Sequence, residues 1–444
     1  MSKINVQNTI DSSKMNGFFW KVYIVCLLVV VFDGYDMNIF GPVMPSMMAD
    51  LNLTPAQGGL LASYAMYGML IGSILFGFLA DKVGQKKVII VGIVIYAVFT
   101  GLVGSSDTQV QLAICRFIAG LGIAGVVPNV LAYITHYSPA KSRGPLTAWI
   151  TIGLSIGGIL AAVIALLFVQ SMGWRIIFYV AYVPIIMAVV VQLAMPETML
   201  TYYRKGQFDK MKQVLAKANT SYTPSDDDEF ELHQVKVSKV SFAGLLKKQF
   251  VRNTILVCLC YFVNFYLLFG MNTWIPNLMI QQGFPLAGGI WFLLIFYFGA
   301  LVGTTVGAFA APRYGYRKIL MIYYAITACM LITISQQHEM VPMAIALFIC
   351  GGTIYGTTTL FNGYVSQCYP ATFRSTALGT GLGVGRFGGA AGPVVGGILL
   401  GASVPIIINF LAFAIPAAIG VLFIFGTRDY TKIDINSEES VEKL

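Results

Sequence analysis

An all-α membrane protein of about twelve spanning helices, arranged as two six-helix pseudo-repeats with both termini cytoplasmic, is the fold class this sequence predicts. Three observations predict it. Of 444 residues, 57% are hydrophobic and only 11% charged, against about 25% charged in an ordinary soluble domain. Apolar runs of near-spanning length recur along the chain, and a helix crossing a bilayer takes roughly 20 apolar residues. A single ungapped shift of 231 residues also lays the first half on the second, placing Gly72 on Gly303 and Arg143 on Arg374.

The runs fall at about 21–45, 58–80, 88–106, 109–137, 143–170 and 173–195. A second set follows at about 251–280, 286–311, 317–336, 340–368, 373–402 and 404–427. Helical spans leave no backbone donor stranded in lipid. These runs divide the chain into a tail (1–20), a first bundle (21–196), a connector (197–250), a second bundle (251–428) and a closing tail (429–444). The formal charge of +9 is no nucleic-acid signal, because its placement accounts for it. Lys14, Lys82, Lys86, Lys87, Lys141, Arg143, the 204–252 segment, Arg313, Arg317, Lys318, Arg374 and Arg428 fall on one side of the topology. Arg175 is the main exception. The positive-inside rule then makes both termini cytoplasmic, and no cleavable signal pattern precedes the first run.

The connector carries Arg204, Lys205, Lys210, Lys212 and Lys217, then Asp226, Asp227, Asp228 and Glu229, then Lys236, Lys239, Lys247 and Lys248, with an isolated His233. It reads as a solvated segment, in part an amphipathic surface helix. The seven cysteines (Cys26, Cys115, Cys258, Cys260, Cys329, Cys350 and Cys368) lie in or at the ends of spans and imply no disulfide framework. The 231-residue register continues through Gly84 on Gly315, Lys87 on Lys318, Gly120 on Gly351, Pro139 on Pro370 and Gly157-Gly158 on Gly388-Gly389. Parallel six-helix repeats with a substrate site between them near the midplane are secondary-transporter architecture.

Phe32-Asp33-Gly34-Tyr35-Asp36 places two carboxylates in the first apolar run. A carboxylate at mid-bilayer depth costs about 2.5–3.5 kcal/mol on insertion scales and marks a functional position by default. Acids at i and i+3 share a helix face, and Gly34 should weaken the helix there. Arg116 in the fourth run lies at the depth of Asp36 rather than Asp33, counting 1.5 Å per residue. An Asp36–Arg116 interaction is therefore expected, with Asp33 deeper and freer to exchange a proton. A static pair that only locks two helices is the alternative. Arg386 stands near the middle of the eleventh run among Gly385, Gly388 and Gly389, with no acid evident in the second-half spans. A guanidinium there favours a carboxylate ligand, or a pair with an acid of the first span. Tyr35, Trp149, Tyr261, Phe265, Tyr266, Phe292, Tyr355 and Phe387 are candidate walls for a ring, with Asn129, Asn264 and Asn362 for its hydroxyls. No metal-ligand spacing and no phosphate-binding Gly-Lys-Ser/Thr loop is present.

The loop Gly77-Phe78-Leu79-Ala80-Asp81-Lys82-Val83-Gly84-Gln85-Lys86-Lys87 has glycines for a tight turn and close helix approach, and an acid for a helix N-terminus or a basic partner. It reads as a conformational latch, together with Arg143, Arg317 and Arg374. The downstream copy has Pro312 in place of the acid.

This loop resembles the signature between the second and third helices of the major facilitator superfamily, and the resemblance extends over roughly 20–428. Asp33-Gly34-Tyr35-Asp36 resembles the first-helix motif of the aromatic acid:proton symporter family. So do Arg116-Phe117-Ile118-Ala119-Gly120-Leu121-Gly122 with Pro128-Asn129, Gly173-Trp174-Arg175, Pro196-Glu197-Thr198, and Gly385-Arg386-Phe387-Gly388-Gly389 with Gly392-Pro393. The family usually carries Glu where His136 stands and an acid where Pro312 stands. The resemblance implies proton-coupled uptake of an aromatic or related cyclic carboxylate by alternating access in the plasma (inner) membrane of a bacterial-type cell. A proton gradient would supply the energy with no cofactor, and the chain would function as a monomer. A proton-driven drug or metabolite exporter and a sugar or polyol porter are the alternatives. The fifth run lacks the proline expected of exporters, and Arg386 argues for an anion. No catalytic motif supports an enzyme.

Overall fold

The structure, a computed structural model, describes residues 3–140, 142–225, 228–231, 242–370 and 372–428. Lys141, Asp226, Asp227, His233, Lys236, Lys239 and the 429–444 tail lie outside these residues. Twelve helices among the described residues are long and apolar enough to cross a membrane. In order they are Gly17–Asp50, Pro55–Val83, Gln85–Val103, Gln109–Tyr137, Trp149–Met172, Arg175–Ala194, Val251–Gln281, Leu286–Tyr314, Tyr316–Gln336, Met340–Cys368, Arg374–Gly401 and Ile406–Gly426. Each overlaps one of the expected runs.

The first span starts at Gly17 rather than 21, because the Asn16 side chain caps it by accepting from the Phe19 N–H. It runs as Gly17–Asn38 and Phe40–Asp50, joined at Ile39. Gly34 does not weaken it. Helix continues through the acids, and a methyl group at Gly34 would overlap the Leu154 backbone of the fifth span. At Gly157 it would overlap Val31 and Tyr35 backbone atoms in return. Small residues let helix backbones approach where lipid offers no hydrophobic drive to association.

The repeat reappears as packing. The second and eighth spans begin at 55 and 286 and end at 83 and 314, the same 231-residue offset at both ends. A methyl at Gly68 would collide with the Phe117 carbonyl, and at its copy Gly299 with the Phe348 carbonyl. Gly120 faces Ala65 as Gly351 faces Phe296. The fourth and tenth spans differ for a local reason. Pro128 has no N–H and the fourth span breaks at Gly125–Val126, where Asn129 Nδ2 donates to the Gly125 carbonyl at 2.8 Å. Thr359 occupies the equivalent position and the tenth span is unbroken.

The chain forms two compact units: Met1–Val235 with Ile275–Leu294, and Lys236–Trp274 with Ile295–Leu444. In the first unit the tail is more than a polar leader. Lys3–Asn5 pairs in parallel with Glu229–Glu231 of the connector, and Val6–Asp11 is a helix. The expected amphipathic helix is Phe208–Ala218, with Met211, Val214, Leu215 and Ala218 buried, and the Val6–Asp11 helix packs against it. Asn16 Nδ2 donates to the Lys217 carbonyl (2.8 Å) and Asn219 Nδ2 to the Thr9 carbonyl (2.7 Å). All seven cysteines are free thiols.

Candidate functional site

Asp33 and Asp36 are both fully buried on the first span, yet their surroundings differ. Arg116 Nη1 lies 3.5 Å from Asp36 Oδ2, and its guanidinium sits 4.6 Å from the centre of the Phe40 ring. That separation is longer than the 2.7–2.9 Å of a strong charge-assisted bond, so cation–π contact with Phe40 supplements a loose ion pair. Neither oxygen of Asp33 has a hydrogen-bond partner among the described residues, nor does Asp36 Oδ1. Sequence reasoning missed two neighbours on the third span. Tyr96 lies within electrostatic reach of both acids, and Thr100 lies beside Asp36. Hydroxyls four residues apart in a span otherwise apolar from Val88 to Val103 were the available signal.

The other first-unit candidates are engaged elsewhere. Tyr35 is turned into the core with its hydroxyl donating to the Ile177 carbonyl at 2.7 Å, so it does not present a wall for a ring. Asn129 serves the helix break already described, and Trp149 is more than half exposed on the fifth span. Phe292 is buried edge-on to Phe284.

In the second unit Arg386 is partly exposed and has no ion pair or hydrogen bond among the described residues. Gly385 brings its helix against Phe265 and the Tyr261 carbonyl, and Gly388 against the Phe262 carbonyl. Phe387 is more than half exposed and Asn362 is exposed. Asn264 Nδ2 donates to Thr358 Oγ1 at 2.6 Å, and its buried Oδ1 has no partner among the described residues. Tyr266 donates to the Ala412 carbonyl at 3.1 Å, while Tyr355 accepts from Asn272 Nδ2 at 2.9 Å. Tyr261 stacks on Phe361 with centroids 4.6 Å apart.

The latch residues scatter in role. Gly84 (φ +95°) and its copy Gly315 (φ +94°) hold turns that an L side chain resists. Gly77 makes no close approach, since a Cβ there would meet nothing within 4 Å. The Asp81 carboxylate is exposed and meets neither a helix N-terminus nor a base among the described residues; Arg204 Nη1 instead binds its backbone carbonyl at 2.7 Å. Lys86 is buried, with Nζ donating to the Gln192 carbonyl at 2.8 Å, whereas Lys87 is exposed. Arg143 pairs with Asp11 of the tail. Arg317 binds the Phe425 carbonyl and Arg374 Nε the Tyr369 carbonyl at 3.2 Å. What the structure does join is the loop and the Pro196-Glu197-Thr198 motif. Of these, residues 80–85, Lys87 and Thr198 line a cavity of about 310 Å³ with His136, Thr201, Arg204 and Lys205, and neither Asp33 nor Asp36 is in its lining. At the other end of the unit Trp174 Nε1 donates to Asp50 (3.0 Å), while Arg175 bridges Asp50 and Asp107.

The Major Facilitator Superfamily model matches residues 26–379 and 257–443. Among known proteins the chain is 32% identical to the benzoate transport protein of Acinetobacter baylyi, covering 96% of this chain and 93% of that one. It is 31% identical to the gentisate transporter of Corynebacterium glutamicum, covering 88% and 84%. The 4-hydroxybenzoate transporter PcaK of Acinetobacter baylyi is 27% identical, with 96% and 94% covered. Of solved structures, the D-xylose-proton symporter superposes with a TM-score of 0.72 at 15% identity over 94% of this chain and 99% of that one, a likeness of fold alone.

Proposed function

This chain belongs to the Major Facilitator Superfamily, to the aromatic acid transporters within it, and we propose that it carries an aromatic carboxylate into the cell together with protons. It is a transporter rather than an enzyme, a multi-pass protein of the bacterial inner membrane. The observation that carries the reading is a set of unmatched charges inside spanning helices. Asp33 in the first unit and Arg386 in the second each lack an ionic partner among the described residues. An intramembrane cation without an acid favours an anionic ligand, and an intramembrane carboxylate without a base favours a proton.

On this reading the planar guanidinium of Arg386 takes the substrate carboxylate through two parallel N–H···O bonds. The Asp33 carboxylate binds one proton and becomes a neutral acid. Asp36 and Arg116 balance each other throughout, which leaves Asp33 as the group whose charge changes. Neutralising both unmatched charges lowers the cost of the change of access, and a ligand biases that equilibrium only by its differential affinity for the two states. The proton gradient supplies the energy with no cofactor, and the chain works as a monomer in the bilayer.

Accumulation of radiolabelled benzoate in proteoliposomes under an imposed inward proton gradient tests the proposal, with gentisate, 4-hydroxybenzoate and benzamide as competitors. Accumulation that collapses with the gradient and resists benzamide supports it. Uptake of acids that is indifferent to the gradient removes the coupling, and equal competition by benzamide removes the carboxylate anchor.

A further inference from the structure

The cavity of about 310 Å³ lies between the loop joining the second and third spans and the helix Met199–Arg204 that follows the sixth. All of its lining belongs to the first unit. Two contacts bring its walls together. Gly84 has φ +95° and no side chain, which lets Thr201 Oγ1 come within 2.8 Å of the point a Cβ would occupy. Arg204 Nη1 donates to the Asp81 backbone carbonyl at 2.7 Å, tying the end of the helix to the loop.

The lining is strongly basic. Lys82, Lys87, Arg204 and Lys205 contribute four cations against the one carboxylate of Asp81. None of the four has a carboxylate partner among the described residues. Glu197 approaches the Gly84 turn but is not in the lining. Like charges around a concavity repel one another and focus a field that concentrates counter-ions there. The third-span helix also starts at this wall: Gly84 is its N-cap, Gln85 its first residue, and no side chain caps it. An uncapped helix start offers backbone N–H groups and the positive end of the helix dipole, which favour an oxyanion. Arg204 spends one N–H on the Asp81 carbonyl and keeps the rest of its fork, which suits phosphate, while lysine binds phosphate as a point charge. The volume is near the lower end of small-ligand pockets, about 300–1,000 Å³, enough for a phosphate group with a small remainder outside it.

We propose that this cavity binds a phosphate group, borne by a soluble phosphate or by a phospholipid head group, at a site separate from that of the transported acid. The positive-inside rule puts it on the cytoplasmic side. The phosphate is held between Lys82 and Lys87 of the loop and Arg204 and Lys205 of the following segment, and so it fastens one to the other. Neither Asp33 nor Arg386 is in the lining, so the proposal stands apart from the reading of the transport site.

Equilibrium dialysis of the detergent-solubilised full-length chain against radiolabelled inorganic phosphate tests it, with sodium chloride holding ionic strength constant because exposed charges are screened by salt. Wild type should bind phosphate saturably, one per chain. Lys87→Gln removes an exposed cation with no ion pair to break, so it spares the fold and should weaken binding about tenfold, the loss of one charge-assisted contact. Arg204→Gln should weaken it at least as much. His136→Glu adds a carboxylate to the lining and should also weaken it. Lys248→Gln, at an exposed lysine of the connector outside the lining, should leave it unchanged. Repeating the dialysis in phosphatidylcholine nanodiscs with and without phosphatidic acid separates the sources. Displacement by phosphatidic acid assigns the site to head groups, and undiminished binding assigns it to soluble phosphates. Absence of saturable binding overturns the proposal, as does binding that the three lining variants leave unchanged. Equal weakening by Lys248→Gln overturns it too, because a basic surface would then be attracting phosphate without a site.

Discussion

Asp33 and Asp36 stand three residues apart on one helix, and their neighbours give them different consequences on substitution. Asp36 and Arg116 are a buried pair, so truncating one partner strands the other's charge, at a cost of about 3–5 kcal/mol. Arg116→Met should therefore lower the thermal unfolding temperature in detergent clearly. Asp33 has no ionic partner to strand, so Asp33→Asn should melt no lower than wild type while losing gradient-driven accumulation more completely than substrate exchange. The reverse order of stabilities would mean that Asp33, not Asp36, holds the bundle. Arg386→Lys should keep the charge, lose the fork and weaken acid binding without misfolding. A variant that still discriminates benzoate from benzamide as wild type does would remove Arg386 as anchor.

Helices in this chain meet through glycines, and the consequence of a methyl group depends on what it meets. At Gly120 and Gly351 a Cβ would overlap backbone carbonyls of Ala65 and Phe296, which cannot step aside without moving a span. Gly120→Ala and Gly351→Ala should each sharply reduce the yield of folded protein in membranes. Gly77 and Gly383 face open space, so alanine there should be neutral or stabilise by about 0.5–1 kcal/mol, the usual gain over helical glycine. Folding yield and melting temperature of the four variants separate these cases. Equal losses at all four would show that helix flexibility, not close approach, is what the glycines supply.

At the scale of the whole chain, the tail, the loop after the fourth span and the connector are tied in one place. Asp11 accepts from Arg143 and, through Oδ1, from Gln7 at 2.7 Å, and the three-residue strand Lys3–Asn5 pairs with Glu229–Glu231. Two three-residue strands are not stable alone, so the sheet depends on the clasp beside it. Asp11→Ala should raise amide hydrogen exchange in 3–5 and 229–231 together. Protection of 229–231 that survives the substitution would show the sheet to be held by other contacts. Any loss of global stability should stay within about 1 kcal/mol, since Asp11 and Arg143 are each about a third exposed.

Periodicity, composition and residue register alone determined the number of spans, their approximate limits and the internal repeat; the family was legible only through the resemblance of its motifs. Those features follow from summed burial and from charge placement, which a linear sequence displays directly. The depth argument that matched Arg116 to Asp36 also needed only helical rise, because both residues sit on regular helix. What the tertiary structure decided is which neighbours each group meets. Tyr35 and Tyr96 are both buried tyrosines in apolar runs, yet one hydroxyl is taken by a carbonyl of the sixth span and the other has no hydrogen-bond partner among the described residues. Asp81 had every local feature of a latch and its carboxylate meets no base among the described residues, while Asp11, in the polar tail, holds Arg143. Such pairings join residues far apart in sequence across different helices. Helix rotation and close approach at glycines set them, and no periodicity along one segment records which face of another it will meet.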